Sequence, residues 1–115
     1  MNNDQISKEE LANQNFHSGA VKRDKGLYEE SIVDFLQALS INPNHVAANY
    51  QMIYSLSSLN RQNEALIYAN KIVELAPSGN TYEQRAFVKE ALGDFDGAKE
   101  DTQIAWSIPK EDCWC

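Results

Sequence analysis

A chain of 115 residues, 43% hydrophobic and 23% charged, has the composition of a globular domain and is long enough to bury a modest core. Its formal net charge of -7 repels phosphate backbones and anionic lipid, which disfavours binding to nucleic acid or to a membrane surface. The first residues carry no positive run, no apolar stretch is long enough to span a bilayer, and both cysteines lie in the last three residues. These features predict a cytoplasmic protein.

Six helices and no strand are predicted, beginning with two helices that have clear start and stop signals. The first begins at a capping box formed by Ser7 and Glu10 and ends near Gly26, a residue suited to a left-handed C-terminal position. The second runs from about Tyr28 to Ile41, where apolar residues recur with a period close to 3.6, and it stops at Pro43.

The other four helices follow at similar intervals. The third, from about His45 to Leu59 with Asn44 as its cap, is the most apolar and is expected to be the central buried helix. The fourth is expected to be capped by Asn63, and the fifth to run from Thr81 to Leu92. Gly93-Asp94 then ends the fifth helix and caps the sixth.

The turn, the second helix and the proline stop occur three times along the chain. Two sets of residues recur at intervals of 32 to 34: Ser31, Ala65 and Ala98, and Pro43, Pro77 and Pro109. A repeat with this period is typical of a helical array in which each helix pair stacks on the next.

This repeat resembles the tetratricopeptide repeat, whose 34-residue pattern is Trp-x2-Leu-Gly-x2-Tyr, then Ala-x3-Phe, then Pro. The second helices match it well, at Ser31, Phe35, Ala38 and Pro43, at Ala65, Ala69, Ile72 and Pro77, and at Ala98, Thr102, Ala105 and Pro109. The first helices match it more loosely, at Asn15, Ser18, Gly19 and Lys22, at Asn49, Met52, Ile53 and Leu56, and at Tyr82, Arg85, Ala86 and Lys89.

The resemblance implies an all-α fold, a right-handed superhelix of three antiparallel helix hairpins with six helices. A single domain is expected over 1–109, with repeats at about 12–45, 46–78 and 79–109. The tail, 110–115, is expected to be flexible or folded back. Small residues at positions such as Gly19 are expected to let the two helices of a hairpin approach closely.

The resemblance also implies a concave groove that is lined by the first helix of each hairpin and binds a peptide or a partner helix, without catalysis. The residues expected to line it are Asn13, Phe16, Ala20, Arg23, Tyr50, Gln51, Tyr54, Asn80, Glu83 and Phe87. Its four aromatic residues suit an apolar or aromatic-anchored peptide, although some of them can instead pack between hairpins. The predicted function is a non-enzymatic adaptor or scaffold with a protein or peptide partner.

Chaperone-binding members of the resembled family hold a C-terminal carboxylate with a clamp of Lys, Asn, Asn, Lys and Arg. The matching positions of this chain are Phe16, Ala20, Gln51, Asn80 and Gln84. None of these is cationic, so the binding of acidic chaperone tails is disfavoured.

The sequence offers little for catalysis or for a metal. His17 and His45 are expected to be exposed or capping side chains, and no acid–base constellation is apparent. Cys113 and Cys115 supply only two of the four ligands that a closed zinc site needs, so no metal or other cofactor is predicted.

No helix is predicted after the one that carries Trp106, so the C-terminal end of the array is expected to lack a covering helix. Two alternatives remain. The tail folds back so that Trp114 covers the end, or the end is a self-association surface that joins copies into a homo-oligomer. The second alternative would make the chain a self-associating structural unit.

Overall fold

The computed structural model describes residues 6–109, and every regular element in this part of the chain is an α-helix. The helices are α1 (Lys8–Asp24), α2 (Tyr28–Ile41), α3 (Val46–Ser58), α4 (Gln62–Leu75), α5 (Gly79–Ala91) and α6 (Phe95–Ser107). They pair as the hairpins α1–α2, α3–α4 and α5–α6, and neighbouring hairpins meet through α2–α3 and α4–α5. None of these helices combines the length and the hydrophobicity that crossing a bilayer requires.

The three hairpins turn at equivalent residues, as the repeat predicts. Gly26, Asn60 and Gly93 all have positive φ, at 80°, 61° and 85°. The amide of the residue after each of them donates to a carbonyl five residues earlier, at 2.8–2.9 Å. Such bonds satisfy carbonyls that the end of a helix leaves open, and glycine or asparagine adopts the required conformation most easily.

The predicted helix starts are correct in two cases and wrong in others. Ser7 and Glu10 form the predicted capping box of α1, and Asp94 caps α6 by accepting from the amide of Gly97. Asn44, however, does not cap α3. Its amide donates to the side chain of Asn42, which extends the turn by one residue, so that Nδ1 of His45 caps α3 instead.

The starts of α4 and α5 also differ from the predictions. Asn63 lies inside the first turn of α4, where Arg61 and Glu64 join through hydrogen bonds of 2.7 and 2.8 Å. The helix α5 begins two residues before Thr81, because the Ser78 hydroxyl accepts from the Thr81 amide and the Ser78 amide donates back to Thr81. In α5 a local pair of side chains thus moves the helix start by two residues, whereas α4 begins after Arg61 without a side-chain cap.

The hydrophobic core lies between the first and second hairpins and reaches α5 but not α6. Its buried members are Ile32, Phe35, Met52, Ile53, Leu56, Ala65, Ala69, Ile72 and Val88. The helix α3 contributes three of them and packs on both α2 and α4, in agreement with the prediction that it is the central buried helix.

Gly19 is a contact point between α1 and α2. A Cβ atom at this position would lie 2.7 Å from the ring of Phe35, which is fully buried. The close approach of the two helices therefore depends on the missing side chain, as expected from the repeat pattern.

Gly19→Ala is expected to lower the free energy of unfolding by about 1–2 kcal/mol, because the cost of overpacking exceeds the gain in helix propensity. Urea unfolding followed by circular dichroism measures the change. In a Phe35→Leu background the same substitution should cost less, since the ring that it meets is gone. A Gly19→Ala variant that is more stable than the parent would show that the helices can separate freely.

Candidate functional site

The first helices of the hairpins, α1, α3 and α5, carry the predicted groove residues, and we call this surface the A-helix face. Three small groups of side chains connect neighbouring helices across it. They bring together Asn13 with Phe16, Tyr50 with Asn80, and Arg23 with Gln51 and Tyr54.

The first group links α1 to the start of α3 through His45. Because Nδ1 of His45 accepts from the Ala48 amide, Nε2 carries the hydrogen and donates to Asn13 Oδ1 at 3.1 Å. The ring of Phe16 lies 5.2 Å from that of His45 and 5.8 Å from that of Phe35. Phe16 is half-buried and belongs partly to the packing between hairpins, while His45 is the capping residue that the sequence suggested.

The second group links α3 to α5. The hydroxyl of Tyr50 donates to Asn80 Oδ1 at 3.3 Å, and the Tyr50 ring packs against the core. Burial raises the pKa of Tyr50, the hydrogen bond to Asn80 lowers it, and the charge of Glu83 raises it, with a net increase. Tyr50 therefore stays a hydrogen-bond donor at neutral pH. The carboxylate of Glu83 is close enough for its charge to act on the Tyr50 hydroxyl.

The third group surrounds Arg23, the one cation among the predicted groove residues, with partners from the same chain. The guanidinium of Arg23 lies 5.1 Å from the centroid of the Tyr54 ring, donates to Gln51 and pairs with Asp24 at 2.5 Å. The ring of Tyr28, a residue that the sequence did not assign to the groove, lies 6.3 Å from that of Tyr54. The position of this aromatic residue, two places after the turn residue Gly26, was the available signal.

Two aromatic side chains remain widely accessible on the A-helix face. Tyr54 is 54% exposed and Phe87 is 59% exposed. They stand 33 residues apart, at equivalent places of the second and third repeats, where the first repeat has the small half-buried Ala20. The face thus offers apolar area at regular spacing.

A pair of polar networks was missed by sequence reasoning. In the first hairpin, Asp34 accepts from the Ser18 hydroxyl at 2.7 Å and from Lys22 at 2.9 Å. Burial alone raises the pKa of Asp34, but the bonds from Ser18 and Lys22 outweigh it, so that the pKa lies below its ordinary value. This network joins α1 to α2.

The third hairpin repeats this arrangement 67 residues further along the chain. Asp101 accepts two hydrogen bonds of 2.8 Å from Arg85 and forms an ion pair with Lys89 at 3.0 Å. The middle hairpin has apolar or aromatic residues at the equivalent places: Met52, Leu56 and Tyr68. Charges of opposite sign that recur over two repeat periods were the signal in the sequence.

No group of three or more His, Cys, Asp and Glu residues that could hold a metal ion occurs within 6–109. Cys113, Trp114 and Cys115 lie outside the described residues, so the predictions made for them stay predictions.

The comparisons with known proteins agree on one family. The family model of the tetratricopeptide repeat matches residues 15–45, which span most of α1, all of α2 and the turn after it. The equivalent turns, helix pairs and spacings of the other two hairpins fit two further repeats. Residues 15–45 are thus similar to a tetratricopeptide repeat, and the three hairpins have the fold of an array of such repeats.

Solved structures show the same fold. The second TPR of Spaghetti (RPAP3), bound to the HSP90 peptide SRMEEVD, has a TM-score of 0.80 and 16% identity over 88% of this chain and 94% of that one. The structure of MamA has a TM-score of 0.82 and 18% identity over 92% of this chain and 61% of that one. No curated protein sequence matches the chain.

The predicted fold class, an all-α right-handed superhelix of three hairpins, is confirmed by these similarities. Proteins with the tetratricopeptide-repeat fold are in general non-enzymatic modules for protein–protein interaction, and this chain has that fold.

Proposed function

We propose that this protein is a non-enzymatic cytoplasmic adaptor or scaffold that binds a peptide or a partner helix along the A-helix face. The observation that supports it is the exposure of Tyr54 and Phe87 at equivalent places of neighbouring repeats. An exposed pair of aromatic rings offers a wide apolar contact area at a low cost in side-chain entropy. Tyr50, whose hydroxyl is directed to Asn80, would lie at the floor between them.

The charges on the A-helix face favour a partner with a basic residue beside its apolar anchors. The carboxylate of Glu83 lies near Tyr50 and forms no ion pair within 6–109, whereas Arg23 is already paired with Asp24. A cationic side chain near Glu83 would gain a partner and could rest on the face of an aromatic ring. An acidic peptide would meet only repulsion, in a chain whose net charge is -7.

The comparison with the RPAP3 repeat sharpens this choice, since that protein is bound to the acidic peptide SRMEEVD. The five clamp positions of the present chain are uncharged: Phe16, Ala20, Gln51, Asn80 and Gln84. We therefore expect the two proteins to share the fold and the location of the peptide, but to differ in the sequence that they bind.

A random-peptide phage library selected on the immobilised protein tests this function. Enrichment of peptides with aromatic or aliphatic anchors next to Lys or Arg is expected. For a selected peptide, the double variant Tyr54→Ala with Phe87→Ala should bind at least about tenfold more weakly by fluorescence anisotropy, because it removes both exposed anchors. The SRMEEVD peptide serves as the acidic probe and is expected not to bind.

Phe95→Ala is the matched control, because Phe95 is an equally exposed aromatic residue that lies on α6, away from the A-helix face. It should leave the affinity unchanged. Selection of acidic peptides, or full binding by the double variant with an intact circular dichroism spectrum, would contradict the proposal.

A further inference from the structure

The outer side of the last hairpin is a second exposed aromatic surface, and we call it the end face. It is formed by α6 residues Phe95, Ala98, Lys99, Thr102 and Trp106, with Glu90 from α5. In the first two repeats the equivalent side of the hairpin is covered by the first helix of the next repeat, α3 or α5. No described element covers the end face in this way.

Trp106 shows the difference between a covered and an uncovered repeat. It stands 33 residues after Val73, which is 8% exposed under α5, whereas Trp106 itself is 76% exposed. Phe95 is also exposed, although it lies on a helix that packs mainly against α5. A tryptophan in solvent at a stacking position indicates a surface that is buried by contact with another molecule or segment.

The shape of the end face is complementary to the same face of a second copy. A cleft of about 370 Å³ lies along α6, with Phe95 and Trp106 near its ends and the small side chains of Ala98 and Thr102 between them. The two aromatic residues are 11 positions apart, about 16 Å along the helix. When two such helices cross in opposite directions, each Trp106 meets the Phe95 of the other copy and the small residues face each other.

The charges of the end face are also complementary between two copies. Glu90 on α5 and Lys99 on α6 both line the cleft, and neither forms an ion pair within residues 6–109. In a two-fold symmetric pair of end faces, the carboxylate of one copy and the ammonium group of the other are therefore both available for an ion pair between the copies.

The opposite end of the array differs from the surfaces on which hairpins stack. At the places where α3 has the buried residues Met52 and Leu56, α1 has Ser18 and Lys22, which already bind Asp34. Because Leu11 and Val21 on α1 are exposed, head-to-tail stacking of copies is the alternative that the experiment must distinguish.

We propose that the chain forms a two-fold symmetric homodimer through its end faces, with Trp106 as the central contact. The occupant of the cleft is thus a second copy of the chain. This inference is independent of peptide binding, because the A-helix face lies on α1, α3 and α5 and stays open in such a dimer.

Sedimentation velocity of the full chain under reducing conditions tests the dimer, since a reductant prevents crosslinks through Cys113 and Cys115. A monomer–dimer equilibrium at tens of micromolar is expected, with no larger species. Trp106→Ala should weaken dimerisation by about tenfold or more, because a buried tryptophan at the centre of an interface carries much of its affinity. Phe87→Ala, an exposed aromatic residue outside the end face, is the matched control and should dimerise as the parent does.

A charge exchange gives a second test that a general loss of folding cannot imitate. Lys99→Glu alone and Glu90→Lys alone should each dimerise more weakly, because like charges then meet across the axis. An equimolar mixture of the two variants should regain dimerisation, since every contact across the heterodimer again joins opposite charges.

Three results would overturn the proposal. A species that grows beyond two copies with concentration would indicate head-to-tail stacking, and a dimer that survives Trp106→Ala would place the interface elsewhere. The third is a monomer at all concentrations. In that case iodide quenching in a Trp114→Phe background, where Trp106 is the only tryptophan, identifies the cause: a shielded Trp106 would mean that the chain's own tail covers the cleft, and an accessible one that the face is free.

Discussion

Phe35→Ala is expected to lower the free energy of unfolding by about 3–5 kcal/mol, the largest effect of any single substitution considered for this protein. The ring is fully buried between the first and second hairpins, and it fills the space that Gly19 leaves open. The centroid of its ring lies 5.8 Å from that of the Phe16 ring. Because α1 and α2 are rigid helices, they cannot close a cavity of this size, and the lost contacts are not replaced.

Urea unfolding of both proteins, followed by circular dichroism, measures this change. Phe87→Ala is the matched control, since the same side chain is removed from a place where it is 59% exposed, and the change there should stay within about 0.5 kcal/mol. A small domain is stabilised by only about 5–15 kcal/mol, so Phe35→Ala should shift the midpoint visibly. Equal effects of the two substitutions would mean that the core lies elsewhere.

Asp101→Asn is expected to cost about 2–3 kcal/mol of unfolding free energy. The carboxylate is 1% exposed and is bound by Arg85 and Lys89, so the amide would leave two cations without their shared counter-ion. Removing one partner of a buried ion pair costs about 3–5 kcal/mol. The expected value is lower, because both cations keep some contact with water and can turn towards it.

The cost of Asp101→Asn should depend on pH in a defined direction. Burial alone raises the pKa of Asp101, but the hydrogen bonds and charges of Arg85 and Lys89 outweigh it, so that its pKa lies below the ordinary value. A carboxyl whose pKa is lowered by folding stabilises the protein above its unfolded pKa of about 3.9, and this contribution is lost as the pH falls through the folded pKa. The difference between parent and variant should therefore be full at neutral pH and shrink in acid.

Asp34→Asn is the matched control for this prediction. Asp34 has the equivalent place in the first hairpin, but its cation, Lys22, is 38% exposed. The expected cost is at most about 1 kcal/mol, as is usual for pairs near the surface. Denaturant unfolding at neutral pH and near pH 3 checks both variants, and a pH-independent gap for Asp101→Asn would contradict the assigned role of its charge.

The repeat pattern of the sequence was sufficient to predict the architecture, because each hairpin is a local structure. The period, the positive-φ turns at Gly26, Asn60 and Gly93, and the helix bounds of α2 follow from residues close together in the chain. The capping residues were less predictable. Asn44 and Asn63 have suitable side chains, but His45 caps α3 in place of Asn44, and α4 begins before Asn63 without a side-chain cap.

The candidate site was predicted as a set of residues, and its internal contacts were not. Sequence alone assigned Phe16, Tyr50, Tyr54 and Phe87 to one face, but it left open which of them would pack between hairpins. In the structure Phe16 and Tyr50 are half-buried, whereas Tyr54 and Phe87 are exposed. The difference depends on neighbours 19 to 30 residues away, such as Phe35 and Asn80, which no local pattern specifies.

The sequence by itself determined the repeat, the number of hairpins and the face that carries the aromatic residues, because helix period and turn chemistry act over a few residues. Only the tertiary structure decided how charges and large side chains are used. It paired Asp101 with Arg85 and Lys89 across a hairpin, paired Arg23 with Asp24, and left Trp106 uncovered by any helix within residues 6–109. These outcomes depend on which helices stack on which, and that is a property of the array rather than of any one repeat.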